Sequence, residues 1–527
     1  MRHDLAPRIV VTRQGREVGY RRLGDGPPVG LLHASPRSAA ALLPLAAQLA
    51  DRFTVFAFDT PGFGWSAPLA HPRPDAADFA VALFEACDAL GLERLALYGS
   101  HTGAAIATAA ALLQPARVPA LVLDGYAMFH PLEAASSLAS YLTPIGAEWD
   151  GTHLAWLWSR VKDQFTVFPW YLRAEAARLP RPLAPLDLRQ AVTVDFLAAG
   201  DAYRAAYAAA FRFDGGGSLA RLAVPTTVMA RPDDLLFGHL DALTDLPANV
   251  AVQRPDIAAW PQAVAGALAA GGGGGAPAVV PGPVVRVPGG TIALRRHGAA
   301  GGKLAVLLPP IPGSARALAP LAMALAETMA VIVVDLPGFG ASSLPDARTP
   351  LAIAQAVGAA LPGRPDLVVT IGESGAIGAA LAASGGGRLV LVDPVPDVAR
   401  AGLLEHFADV APRPEGGHLL AAWHQLRDAT LWRPWHETTP AHAIDAGRDP
   451  DVDGMQTVLT DWMRGGTAGR ATLAAAFAAD LRPPAGTTLL LRPDHPWSAA
   501  LAPLGRPAPL PAPPRDLAQA VRAGAAA

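Results

Sequence analysis

Short apolar runs alternate with longer Ala/Leu-rich stretches along most of this chain. Val29 to Leu32, Thr54 to Phe58, Leu95 to Tyr98, Ala120 to Leu123 and Thr226 to Ala230 are too short for helices and predict buried strands. Ala39 to Leu49 and Ala76 to Ala89 have the length and composition of helices, and a third helix is expected beyond Thr102. Strands that alternate with helices of this length predict a mostly parallel α/β sheet with both faces covered. Between about 125 and 214, and again between about 395 and 480, the pattern turns helical and tryptophan-rich. Each stretch predicts an insertion lying over a sheet as a cap.

The pattern is written twice. Gly30 to Ser66 and Val306 to Ser342 align without a gap at an offset of 276, with 19 of 37 positions identical. Further on, the register drifts: Gly99 is matched with Gly372, Asp124 with Asp393 and Trp158 with Trp423, and TTVMARPDD from Thr226 answers TTLLLRPDH from Thr487. So many ordered matches predict a tandem duplication. Gly271 to Gly275 and the prolines after them read as a flexible tether with a stiffened exit. The expected organisation is a first domain over 1–270, a linker over 271–283 and a second domain over 284–527.

Composition narrows the class. Of 527 residues, 51% are apolar and 17% charged, so disorder is excluded and two to four domains with their own cores are expected. A net charge of −3 gives no electrostatic case for nucleic acid. One cysteine, Cys87, can form neither an internal disulfide nor a Cys-rich metal site. Charges among the first twenty residues argue against a secretory signal, and Gly, Pro and charges interrupt every apolar run before it reaches bilayer length. A cytoplasmic protein acting on a small molecule is expected, without a membrane partner, its two halves candidates to pack on each other. There is no G-x-G-x-x-G after a strand, no G-K-[ST] loop and no H-E-x-x-H helix, so no cofactor or metal is expected.

Two motifs carry a resemblance. His33-Ala34-Ser35-Pro36 and Pro309-Pro310-Ile311-Pro312 end one strand in each copy. Asp59 to Ser66 and Asp335 to Ser342 follow the next with D-x-P-G-x-G-x-S. In this the chain resembles the α/β-hydrolase fold family, over nearly all of both copies. The resemblance implies an oxyanion loop after the first of these strands and a nucleophile on a strand–turn–helix elbow of pattern G-x-S-x-G. The second copy reads Gly372-Glu373-Ser374-Gly375-Ala376, which offers Ser374 as nucleophile. The first reads Gly99-Ser100-His101-Thr102-Gly103, with His101 in the nucleophile's slot and Ser100 one residue off it. The acid implied after the cap falls on Asp233 and Asp494. The histidine expected after the last strand is missing from both copies: none occurs after His239 before the linker, and none after His495. The resemblance therefore comes with departures from the catalytic triad in both halves.

The caps carry a constellation of their own. Asp150-Gly151-Thr152-His153, Trp158 and Lys162 recur as Glu415-Gly416-Gly417-His418, Trp423 and Arg427 at an offset of 265. Such residues could line a pocket for an anionic or aromatic substrate, or could anchor the cap while the histidines satisfy buried backbone groups. His33 is expected to satisfy its loop, and Asp124 and Asp393 to cap the strands that they end.

Three functional expectations follow. The first is hydrolysis of an ester or similarly activated carbonyl through the second copy. There Ser374 would be the nucleophile, Asp494 would orient, and N–H groups at Gly375 and the Pro310–Ile311 loop would hold the oxyanion. The general base would come from His418 or His495. The second is lyase or isomerase chemistry without an acyl-enzyme, with His101 or the cap histidines His153 and His418 moving protons. The third is a binding or scaffold protein built from two decayed enzymes.

Overall fold

The computed structural model describes residues 5–128, 138, 140–271, 277, 282–299, 301–444, 451–492, 495–511 and 514–526. The chain divides into two compact units, Met1–Gly146 with Ser159–Gly282, and Ala147–Trp158 with Pro283–Ala527. Residues 147–158, expected in the first copy's cap, thus belong to the second unit. Most of the expected linker lies outside the described residues.

The first unit holds an eight-stranded sheet of β1 (Arg8–Val11), β2 (Glu17–Leu23), β3 (Pro28–Leu32), β4 (Thr54–Phe58), β5 (Ala96–Ser100), β6 (Leu121–Asp124), β7 (Thr226–Met229) and β8 (Val250–Gln253), in the order β1-β2-β4-β3-β5-β6-β7-β8. The second repeats it with β9 (Val284–Val287), β10 (Gly290–His297), β11 (Leu304–Leu308), β12 (Ala330–Val334), β13 (Leu367–Ile371), β14 (Arg388–Val392), β15 (Thr488–Leu491) and β16 (Arg506–Pro509), in the order β9-β10-β12-β11-β13-β14-β15-β16. In each sheet the hairpin (β1–β2, β9–β10) and the next pairing (β2–β4, β10–β12) are antiparallel and the rest are parallel. Parallel strands covered on both faces must be apolar throughout, and β4 is buried at every position. Leu31, Val55, Tyr98 and Val122 pack under Leu45, Leu49, Val264 and Leu268. In the second unit Leu307, Val333, Val369 and Val390 pack under Leu321, Leu325 and Val521. Each such leucine or valine contributes about 1.5–3 kcal/mol by leaving water.

The repeated D-x-P-G-x-G-x-S loops are architectural in both units. The Asp59 carboxylate accepts from Ala39 N at 2.7 Å and Trp65 N at 3.0 Å, and Asp335 accepts from Ala315 N at 2.8 Å and Ala341 N at 3.1 Å. Gly64 and Gly340 have positive φ, and a Cβ on either would lie 2.3 or 2.0 Å from that carboxylate. Ser66 and Ser342 each donate to the aspartate's own carbonyl at 2.6 Å and accept a strand N–H, from Gly19 and Ala293.

The connections from β6 to β7 and from β14 to β15 are long and helical. The first includes helices over Thr152–Gln164, Leu186–Ala199 and Tyr203–Arg212; the second includes Asp397–His406, Gly417–Asp428 and Val452–Phe477. Among the described residues no helix is long and apolar enough to cross a membrane.

Candidate active site

In the first unit β5 runs straight into the helix Thr102–Leu113, and the residue between them is His101, at φ 50° and ψ −110°. A non-glycine residue holds such a backbone only when its surroundings enforce it, at a cost of about 1–3 kcal/mol. Here the enforcing contacts are visible. A Cβ on Gly99 would meet Gly103 O at 2.3 Å, and one on Gly103 would meet Leu32 O at 2.3 Å, so both must be glycine for the helix to start so close to the strand.

The imidazole at this tip is paired. His101 Nε2 donates to Asp234 Oδ2 at 2.9 Å, and Nδ1 has no hydrogen-bond partner among the described residues. Burial alone disfavours the imidazolium. The Asp234 hydrogen bond and the negative charges of Asp234 and Asp124 together outweigh it and raise the His101 pKa above its ordinary 6.5. Burial in turn disfavours the Asp234 carboxylate, but the His101 bond and charge, with the Leu236 N–H, hold it below the ordinary range. Asp234 was not singled out from the sequence. The carboxylate expected here was Asp233, which is half-exposed and lies 3.4 Å from Arg231 Nε. The run Arg231-Pro232-Asp233-Asp234 offered both, and the turn after Pro232 presents the second.

A cavity of about 250 Å³ borders His101. His101 and Thr102 line it from the elbow, Ser35 and Arg37 from the loop after β3, and Tyr141, Trp170, Tyr207 and Phe211 from the β6–β7 connection. Thr102 and Gly103 open a helix, where backbone N–H groups have no intrahelical acceptor and can serve an oxyanion.

Sheet register shows what the second unit places in the same positions. β5 aligns with β3 through Leu32 and Gly99, and β13 aligns with β11 through Leu308 and Thr370. Leu32 and Leu308 are equivalent in the gap-free repeat, so Thr370 answers Gly99, Gly372 answers His101, Glu373 answers Thr102 and Ser374 answers Gly103. The match of Gly99 with Gly372 is therefore displaced by two residues. Gly372, at φ 60°, occupies the elbow tip and offers no side chain. Ser374 has ordinary helical φ and ψ, is fully buried, and its hydroxyl lies against the backbone carbonyls of Ile371 at 3.0 Å and Leu308 at 3.3 Å. The nucleophile expected at Ser374 thus meets a correction: the serine is not at the elbow tip but in the turn that leads into the helix Gly375–Gly385, with its hydroxyl on backbone carbonyls of the strands. Gly375 follows it as the first residue of the helix Gly375–Gly385 and is buried against Leu481 and Pro394, away from the tip.

The second unit fills the vacated space. Asp393 answers Gly125 by register, and both have positive φ, 44° and 61°. A Cβ on Gly125 would lie 2.5 Å from His101 Cδ2, so the histidine requires glycine opposite it. With glycine at the tip, the Asp393 carboxylate enters and meets Arg492 Nε at 2.6 Å and Arg433 Nη1 at 3.5 Å. Glu373 accepts the Ile311 N–H at 3.3 Å, and burial raises its pKa. That donor is the one expected to serve an oxyanion; in the first unit its counterpart, Ser35 N, faces the Thr102 hydroxyl at 3.4 Å. The cavity beside Ile311 in the second unit is about 10 Å³.

The other expected residues lie apart. Asp494 lies outside the described residues. His495, which answers Asp234, is buried 3.9 Å from Asp393 Oδ1 and nowhere bonded to Ser374. His153 Nδ1 accepts the Glu148 N–H at 3.0 Å and its Nε2 meets Gln456 Oε1 at 3.0 Å, while His418 Nδ1 accepts the Arg413 N–H at 3.2 Å. Burial pushes His418 down to about 4. Trp158 and Trp423 donate to the carbonyls of Pro414 and Trp149, each at 3.0 Å, and stand edge-on to His418 and His153. None of these four borders the 250 Å³ cavity. His33 accepts the Thr60 N–H at 2.9 Å, and Asp124 accepts from Tyr98 and Trp260.

A model of the alpha/beta hydrolase fold matches residues 27–144. Over 248 residues, 46% of this chain, the sequence is 33% identical to the polyketide synthase ThaQ of Burkholderia thailandensis. The chain spans only 11% of that relative's length. Among solved structures, similar chains include a hydrolase from Pseudomonas aeruginosa PA01, at 22% identity over 50% of this chain and 97% of that one with a TM-score of 0.38. Another is Epoxide Hydrolase A from Mycobacterium thermoresistibile, at 22% identity over 51% and 99% with a TM-score of 0.40. Likeness at this level bears on no chemistry.

Proposed function

For a chain that belongs to the α/β-hydrolase fold family, we propose that the first copy alone is the enzyme, and that it works by proton transfer through His101 and Asp234, with no serine acyl-enzyme. The observation that carries this reading is the 2.9 Å bond between His101, at the elbow tip beside a cavity, and Asp234. With Nε2 held by the carboxylate, the neutral imidazole keeps its proton there and Nδ1 carries the lone pair. Nδ1 can take a proton from carbon beside a carbonyl, and Asp234 stabilises the imidazolium that results. The N–H groups at the start of the Thr102–Leu113 helix would meet the enolate oxygen. When the protonated Nδ1 returns the proton to another position of the enolate the product is an isomer, and when the enolate instead expels a β-substituent that takes the proton the reaction is that of a lyase; an isomerase or lyase acting on a small carbonyl compound fits best. Hydrolysis through Ser374 receives no support from its buried hydroxyl.

Deuterium uptake from D2O by 2-tetralone and related enolisable ketones, followed by proton NMR, tests the reading. General base catalysis is worth about 10²–10⁴-fold, and His101→Ala should lose that factor. Exchange that is unchanged in His101→Ala, or labelling of Ser374 by a fluorophosphonate, would count against it.

A further inference from the structure

The walls of the first unit's cavity are aromatic, and among the described residues the charged side chains that line it are Arg37 and Arg181. Tyr141 stands edge-on to Trp170, Tyr207 and Phe211, with ring centroids 6.5, 5.5 and 5.5 Å away. Behind them Arg160 is 1% exposed, its guanidinium 4.8 Å from the Trp170 ring and 5.8 Å from Tyr141. Its Nη1 bonds to Gln164, its guanidinium also acts on the Tyr141 hydroxyl, and no carboxylate pairs with it among the described residues. Aromatic faces offset part of that cost, about 2 kcal/mol for a desolvated contact, yet a buried cation without a counter-charge remains unfavourable. Arg181 borders the cavity from its exposed edge and makes no ion pair among the described residues, whereas Arg37 is neutralised by Asp195 at 2.9 Å. Among the described residues no carboxylate lines the cavity.

We propose that this pocket takes a planar aromatic or conjugated carboxylate. Its ring lies among Tyr141, Trp170, Tyr207 and Phe211, its anion is held by Arg181, and the Arg160 charge favours it from behind the wall. Arg181 is the recognising group because a planar guanidinium fork matches the two oxygens of a carboxylate. This deepens the reading of His101 as a base, since it names the class of molecule delivered to it.

Isothermal titration of the whole chain with 2-naphthoate, 2-naphthol and 2-naphthylmethylammonium tests it. A charge-assisted hydrogen bond is worth about ten-fold in affinity or more. Naphthoate should therefore bind at least about ten-fold more tightly than naphthol, and the ammonium ion least. Arg181→Gln should remove the preference for naphthoate and leave naphthol binding within about two-fold. Equal binding of naphthoate and naphthol, no binding by either, or a preference that survives Arg181→Gln would overturn the proposal. Arg160→Met is a harsher variant that risks misfolding, which is why Arg181 carries the test. NMR titration of His101 separates the two readings. If naphthoate fails while His101 still titrates above its ordinary range and Asp234→Asn lowers it, only the carboxylate class is lost.

Discussion

The turn after β5 ends in an imidazole, and the equivalent turn after β13 ends in a hydrogen atom. Around that single difference the two units diverge in a coordinated way. Where His101 needs room, Gly125 supplies it; where Gly372 leaves room, Asp393 takes it with two arginines. Where Thr102 leaves a cavity open, Glu373 lies on the donor that an oxyanion would use. The D-x-P-G-x-G-x-S loops keep the same hydrogen bonds in both units, because the chain cannot turn there without them. The scaffold is thus common property, and the chemistry depends on a few positions that folding leaves undetermined.

The comparison breaks most decisively at the two tips. His101→Ala should lower proton abstraction by about 10²–10⁴-fold, whereas Ser374→Ala should leave it within two-fold. Equal losses in an exchange assay would mean that the second unit takes part in the reaction.

The next effect is steric. Gly125→Ala places a methyl 2.5 Å from the His101 ring at a φ of 61° that L-residues avoid. It should cost about 1–3 kcal/mol of stability and displace the imidazole, with activity falling. Asp393→Ala removes the carboxylate from Arg492 and Arg433 and should cost a similar amount without touching turnover. Chemical denaturation and exchange rates measured on both variants separate the two kinds of loss.

A third effect is in pH dependence. His101 has a folded pKa above its unfolded value, so its contribution to stability is complete below about 6.5 and is lost as pH rises through the raised folded value. Asp234 has a lowered folded pKa, so its contribution is present above the ordinary carboxylate range and is lost as pH falls through the folded value. The dyad therefore stabilises the first unit between those limits. In Asp234→Asn the hydrogen bond and charge that raise the His101 pKa are lost, and its titration should move down in a proton NMR series. In the second unit the tip residue, Gly372, has no side chain to titrate. There His418 acts in the opposite direction: its folded pKa, about 4, lies below the unfolded one, so stability is complete above 6.5 and declines as pH falls toward 4.

Strands, their alternation with helices and the duplication were legible in the sequence, because buried parallel strands must be apolar and tight loops must keep their glycines. The site was legible only in part. His101 stood out by replacing a serine between Gly99 and Gly103, whose spacing is imposed by close packing. Ser374 misled because Gly372 lies two residues before it and the small Ala376 two residues after it, so an elbow pattern can be laid over the helix start two residues out of register. Strand pairing of Thr370 with Leu308, a long-range fact, fixes that register. Asp234 and Asp393 were obscured for the same reason: a displacement of one residue at a turn decides which side chain enters the pocket.

The smallest effects come from residues that the sequence placed in a binding site. Trp158 and Trp423 each donate a hydrogen bond to a backbone carbonyl, stand edge-on to a histidine and are buried within the second unit. Replacement by Phe keeps most of the apolar surface and loses the indole N–H, leaving Pro414 O or Trp149 O without that donor. A net loss of about 1 kcal/mol is expected from each, seen in chemical denaturation, and the two losses should be alike because the two contacts are alike. Turnover and naphthoate affinity should not move, since neither ring borders the cavity of the first unit. A change in affinity in either variant would join these tryptophans to the substrate after all, and would overturn the proposal that the first unit alone binds it.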